Sequence, residues 1–210
     1  LKGQSAWQST GGMQLGSVYG HGAYQAPDWT ADWLHRELTT WLDIKAQAQY
    51  QKPFDQLGVE QKAPLEAALK QEYRKGSAHN AANDTVTLSP TRIAAMEKTA
   101  QYYIDLYGDN PDFQKSRESF AMKENTLPDL TKRERLADFY FWTAWTASAE
   151  RPETGATYTN NWPHEPLIDN TPTAENVIWS IASVVFLIAG VGFLVWGWSF
   201  LHHDEAEVKL

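Results

Sequence analysis

The chain has 210 residues, a formal net charge of −8 and no cysteine. The charge disfavours nucleic acid, whose phosphates need clustered Lys and Arg, and it disfavours a peripheral hold on anionic lipid. The missing cysteine removes disulfides, thiolate zinc sites and Cys-x-x-Cys-His haem attachment.

Ten Trp, nine Tyr and eight Phe argue for packed structure rather than disorder. Residues 1–27 are punctuated by Gly11, Gly12, Gly16, Gly20 and Gly22 without the spacing of a nucleotide-phosphate loop. Tight turns, or the close approach of another segment, are expected there. Pro27-Asp28 opens an amphipathic helix of about 20 residues, with Asp28 or Thr30 as N-cap. Leu34, Leu38, Trp41, Leu42 and Lys45 mark its stripe. Lys52-Pro53 and Gly58 break that pattern, and a second helix is expected over residues 60–75. Leu65, Leu69 and Tyr73 form its buried stripe and Gly76 its stop.

Residues 85–88 suggest a short strand, and Asn83-Asp84-Thr85 matches a glycosylation sequon only weakly. Ser89-Pro90 is a cap followed by proline at the first helical position. Ile93, Met96, Ala100, Tyr103 and Tyr107 are the expected core face of that helix. A looser segment covers residues 112–125. Thr131-Lys132-Arg133-Glu134 reads as a capping box opening a central core helix, where Leu136, Phe139, Tyr140, Trp142, Thr143 and Trp145 leave little that is polar. Residues 151–170 are proline-broken, and Thr171-Pro172 is the expected cap of the last helix.

Residues 177–201 run without a charge or a proline, long enough at ~1.5 Å per residue to cross a hydrocarbon layer of ~30 Å. Trp179 stands near one end and Trp196 and Trp198 near the other, as interfacial anchors do. A soluble core helix is seldom apolar all round for this length, so the reading is a membrane span. Ser183, Gly190 and Gly197 recur every seven residues, a stripe that lets another helix approach closely. The organisation is therefore mainly α: a helical domain over residues 1–170, a transmembrane helix over 171–203, and a short tail over 204–210 on the cytoplasmic side, which Lys209 faintly favours. The start at Leu1, without Met or leader, is expected of a piece of a longer protein.

Residues with chemical potential are few. His21 and His35 flank Tyr24, Asp28, Asp32, Arg36 and Glu37, groups that a proton relay or quinone pocket could use, and that caps, turns and salt bridges use equally. His79, His164, His202 and His203 show no metal-ligand spacing, and Met96 belongs to an apolar stripe rather than to a thioether ligand set. From residues alone this is a tethered helical domain without visible chemistry.

Residues 3–37, GQSAWQSTGGMQLGSVYGHGAYQAPDWTADWLHRE, closely resemble the amino-terminal extramembrane region of quinol-dependent nitric oxide reductases. Residues 160–180, NNWPHEPLIDNTPTAENVIWS, resemble the same family where the chain re-enters the membrane. The resemblance implies a cytochrome-c-like helical domain that has lost its haem, on the periplasmic side of a bacterial inner membrane, followed by a transmembrane helix. It implies that haem b, non-haem iron and all catalytic residues belong to a downstream bundle related to haem–copper oxidases, which takes electrons from the quinol pool and reduces nitric oxide to nitrous oxide. No catalytic, cofactor-binding or metal-binding residue is assigned within this chain. The expected contacts with the downstream bundle are Tyr24 and Trp29 from the glycine-rich segment and Ser183, Gly190 and Gly197 from the membrane helix. A free-standing single-span adapter is the alternative.

Overall fold

A computed structural model describes residues 1–75, 79–80, 82–83, 85–152 and 154–201. It divides into two units, Leu1–Thr171 and Pro172–Leu210.

The first unit is a helical bundle. Helix α1 (Lys2–Ser9) leads through a single 3-10 turn at Gly12–Gln14 to α2 (Trp29–Tyr50). Helix α3 (Val59–Lys75) follows, then a two-residue hairpin of β1 (His79–Asn80) and β2 (Thr85–Val86), antiparallel with His79 opposite Val86. Helix α4 (Pro90–Leu106), the short α5 (Gln114–Ser119) and α6 (Leu130–Ser148) complete it. Helices α2, α4 and α6 pack on one another, α1 lies against α6, and α3 lies against α2.

Local chemistry sets the boundaries. Asp28 Oδ1 accepts from the Ala31 amide at 3.0 Å, which chooses Asp28 over Thr30 as the cap of α2. That helix buries Trp33, Leu34, Leu38, Trp41 and Leu42 and ends on Gln51, which takes the left-handed conformation that closes helices. Lys45 covers Trp41, its ammonium 5.3 Å from the ring. Ser89 caps α4 through the Arg92 amide at 3.2 Å, with Pro90 at the first position.

Several expectations are corrected. The segment before Asp28 contains a true helix, α1, because Gly3 lets it cross α6 with the two backbones touching: a Cβ there would lie 2.0 Å from the Arg135 carbonyl. The cap of α6 is Asp129, whose Oδ1 accepts from the Lys132 amide at 3.3 Å, so Thr131 is already inside the helix. On α4 and its C-cap Tyr103 and Tyr107 are fully buried as expected, but the other buried positions are Arg92, Ala95, Thr99 and Leu106, with Ile93 exposed and Met96 and Ala100 only half-buried. The first turn of α4 buries a cation instead of Ile93, Arg92 being paired with Glu37. Residues 112–125 are not loose, since α5 lies there and Arg117 anchors it to the Asp105 and Asn110 carbonyls at 3.3 and 2.7 Å. The aromatic part of α6 is not wholly core: Trp142 is 51% exposed.

The second unit is helix α7 (Ala174–Leu201), long and apolar enough to cross a membrane. Its cap is Thr173 rather than Thr171-Pro172: Thr173 Oγ1 accepts from the Asn176 amide at 3.3 Å and its carbonyl from the Val177 amide at 3.1 Å. Ser180 and Ser183 turn their hydroxyls back onto the Asn176 and Ser180 carbonyls at 2.7 and 2.8 Å, which satisfies them without a partner helix. Gly76, Asp84 of the sequon, His202, His203 and the tail over 204–210 lie outside the described residues.

Candidate functional site

The centre of the bundle is aromatic. Trp29 is fully buried; its indole stacks on Tyr140 at 5.7 Å and meets Tyr103, Tyr107 and Phe120 edge-on at 6.0, 5.9 and 5.9 Å. Trp33 stacks on Tyr103 at 5.0 Å. The rings bring large apolar area and oriented quadrupoles to one place. Their hydroxyls are satisfied in pairs: Tyr103 donates to Asp32 Oδ2 at 2.7 Å, and the Tyr107 and Tyr140 hydroxyls share a bond of 2.8 Å. Burial pushes the Tyr73, Tyr103, Tyr107 and Tyr140 phenols well above the ordinary tyrosine range, so all four stay protonated at neutral pH.

Beside this cluster is an ion pair sealed from water. Glu37 Oε1 lies 3.2 Å from Arg92 Nε, both side chains being 1% exposed. Trp33 Nε1 donates to Glu37 Oε2 at 2.7 Å, and the Arg92 guanidinium covers the Tyr73 ring at 4.0 Å. Asp28, Asp32 and Glu37, grouped with His21 and His35 in the sequence, are thus sent to three separate structural tasks. Asp28 caps α2 and binds the Ser17 hydroxyl and Gly20 amide at 2.6 and 2.7 Å. Asp32 holds Arg36 Nε at 2.8 Å together with Tyr103. Glu37 holds the core. The histidines stay at the surface, His35 Nδ1 lying 3.0 Å from Glu165 Oε2 and His164 Nδ1 2.9 Å from the Asn170 carbonyl oxygen. Among the described residues no three His, Asp or Glu converge as a metal set would.

The segment after α6 is fastened by Arg74. Its Nε donates to Glu150 Oε1 at 2.6 Å, Nη1 to Asn170 Oδ1 at 3.2 Å and Nη2 to the Gly155 carbonyl at 3.2 Å. Asn170, fully buried, donates to the Ala147 and Pro163 carbonyls at 3.0 and 2.8 Å.

Of the expected docking residues, Tyr24 is 96% exposed and available to a partner. Trp29 is not. It is the middle of the core, because Gly16 and the neighbouring rings close over it: a Cβ on Gly16 would lie 2.2 Å from its indole. Gly20 serves the same purpose for Trp162, at 2.1 Å from Nε1. Three glycines of residues 3–37 therefore admit segments of this same unit, α6 at Gly3, Trp29 at Gly16 and Trp162 at Gly20. In α7 a Cβ at Gly190 or Gly197 would meet nothing within the unit.

The family model for the cytochrome c-like domain of the nitric oxide reductase NorB matches residues 1–164. The chain belongs to that family. Comparison with curated protein sequences gives no match.

A cytochrome c-like domain raises the question of haem, and the residues present do not fit one held in the c-type manner. Thioether attachment needs cysteines, and the chain has none. Axial ligation needs an inward His or Met. The described histidines of the cytochrome c-like domain are exposed, Met13 is 42% exposed, and Met122 is its one buried methionine. The volume between α2, α4 and α6 is filled by Trp29, Trp33, Tyr103, Tyr107 and Tyr140. Helical spacing was the cue that Trp142, on the aromatic helix of the cytochrome c-like domain, would face outward, since it follows Lys132, Arg135 and Phe139 by steps of three or four.

Proposed function

We propose that this chain is a non-catalytic, haem-less part of a membrane quinol:nitric oxide oxidoreductase and serves as a structural platform for the catalytic bundle. The observation that carries the reading is the pairing of a cytochrome c-like domain with an interior of contacting aromatic rings in a chain without cysteine. Such a domain keeps the fold and gives up the redox centre, so haem b, non-haem iron and the quinol site belong to other parts of the enzyme. On this reading the domain lies on the periplasmic face of a bacterial inner membrane and α7 is one helix of a larger bundle. Tyr24 and the seven-residue stripe of Ser183, Gly190 and Gly197 are the contacts that bundle would use.

The test is an optical spectrum and a haem extraction on the chain purified in detergent. The expected result is no Soret absorbance and no extractable haem. Haem recovered in equal molar amount with protein would overturn the proposal and make this an electron-transfer module.

A further inference from the structure

The faces that α1 and α6 present to solvent form an amphipathic groove. One half, about 350 Å³, is lined by Lys2, Lys132 and Arg135 together with Ser5, Ser9 and Thr131. The other half, about 630 Å³, shares Lys2 and Arg135 and continues along Phe139 and Trp142. Spacing explains the division. Lys132, Arg135, Phe139 and Trp142 follow one another by three or four positions, and such residues fall on one side of a helix. On α1, Lys2, Ser5 and Ser9 do the same. The close crossing at Gly3 holds the two rows together.

We propose that this groove binds one anionic phospholipid, its phosphate on Lys2, Lys132 and Arg135 and its upper acyl region against Phe139 and Trp142. Charge complementarity carries the choice of an anion. In a chain of net charge −8, three cations line the groove against one carboxylate, Asp138, and that carboxylate reaches Arg135 only through an exposed pair of 3.3 Å. The aromatic half selects an amphiphile over a free anion. Trp142, 51% exposed and stacked on Phe139 at 6.4 Å, offers the flat apolar surface that indoles present to lipid at membrane interfaces. The same chain carries a helix long and apolar enough to cross a membrane, and a chain so anchored would meet lipid at high local concentration. The net negative charge opposes a broad electrostatic hold on a membrane; a single lipid in one groove needs only the local field.

The test uses the 210-residue chain in non-ionic detergent, titrated with phosphatidylglycerol or with phosphatidylcholine of the same acyl chains. Native mass spectrometry reads the lipid retained. The wild-type chain should retain phosphatidylglycerol in preference. Lys132→Gln with Arg135→Gln should weaken that retention about 25-fold, about fivefold for each cation near an anionic headgroup. Both side chains are exposed, so the fold should survive, and Lys132→Gln alone, at about fivefold, is the second measurement. Equal retention of the two lipids, or a preference unchanged in the double variant, overturns the proposal. So does inorganic phosphate binding as tightly as the lipid, which would leave the aromatic half without a role. A polyglutamate peptide held more tightly than phosphatidylglycerol would assign the groove to a protein and overturn it too.

Discussion

Raising the pH should unfold the bundle abruptly, and the four buried phenols set how abruptly. Tyr73, Tyr103, Tyr107 and Tyr140 all have folded-state acidities pushed up by burial, while in the unfolded chain they titrate at about pH 10. Below about pH 10 both states hold these protons and stability does not depend on them. Above it the unfolded state sheds them and the folded state keeps them, so stability falls until the folded phenols themselves ionise. Each such group costs about 1.4 kcal/mol per pH unit, so four cost about 5 to 6 kcal/mol per unit. Against a total of about 5–15 kcal/mol for a domain of this size, unfolding should be complete within about one to three units above pH 10. The assay follows helical circular dichroism and tyrosinate absorbance together on the detergent-solubilised chain. Helix should be lost and the buried phenols ionised in one transition, steeper than a single titration. Tyr103→Phe should lower the steepness by about one proton and leave Asp32 held by Arg36. If all tyrosines ionised as a simple curve near pH 10 while the helix signal stayed, the phenols would be in reach of water and the reasoning refuted.

Two further perturbations probe the packing that encloses this cluster. Gly16→Ala puts a methyl group 2.2 Å from the fully buried Trp29 indole, a ring held by packing alone since its N–H finds no acceptor among the described residues. The expected loss is about 1–3 kcal/mol, read as a lower Tm, and an unchanged Tm would mean the indole moves aside freely. Glu37→Gln removes one charge of the sealed pair and should cost about 3–5 kcal/mol, whereas Glu37→Leu with Arg92→Met should cost less than that single change. A denaturant titration in which the double variant is the less stable of the two would show that the pair stabilises the fold rather than specifying it.

The membrane helix and most of the bundle were legible in the sequence because their signals are local. An uninterrupted apolar run, Asp28 ahead of a stripe of Leu and Trp, and Ser89 followed by Pro90 each act through neighbours a few residues away, so tertiary context had little to override. The family, too, was carried by contiguous strings, residues 3–37 and 160–180, and the match over residues 1–164 contains the first of them. What the sequence left open depended on contacts between distant segments. The first turns of α4 bury Arg92, Ala95 and Thr99 in place of Ile93, Met96 and Ala100; Arg92 reaches Glu37, 55 residues away, and no periodicity counts a buried cation as core. Helix α1, only eight residues long, is held in place because Gly3 lets it lie backbone to backbone on α6. Trp29 read as a surface anchor because its glycine-rich surroundings suggested an approach from outside. In the folded chain the approaching partner is the rest of the same unit, which buries the indole completely. Trp142, by contrast, was counted as core from its aromatic company and is exposed. Helical spacing placed Trp41, Tyr73 and Tyr103 in the core, but the burial of Trp29 depends on which elements cross over it, and that is decided by the tertiary structure.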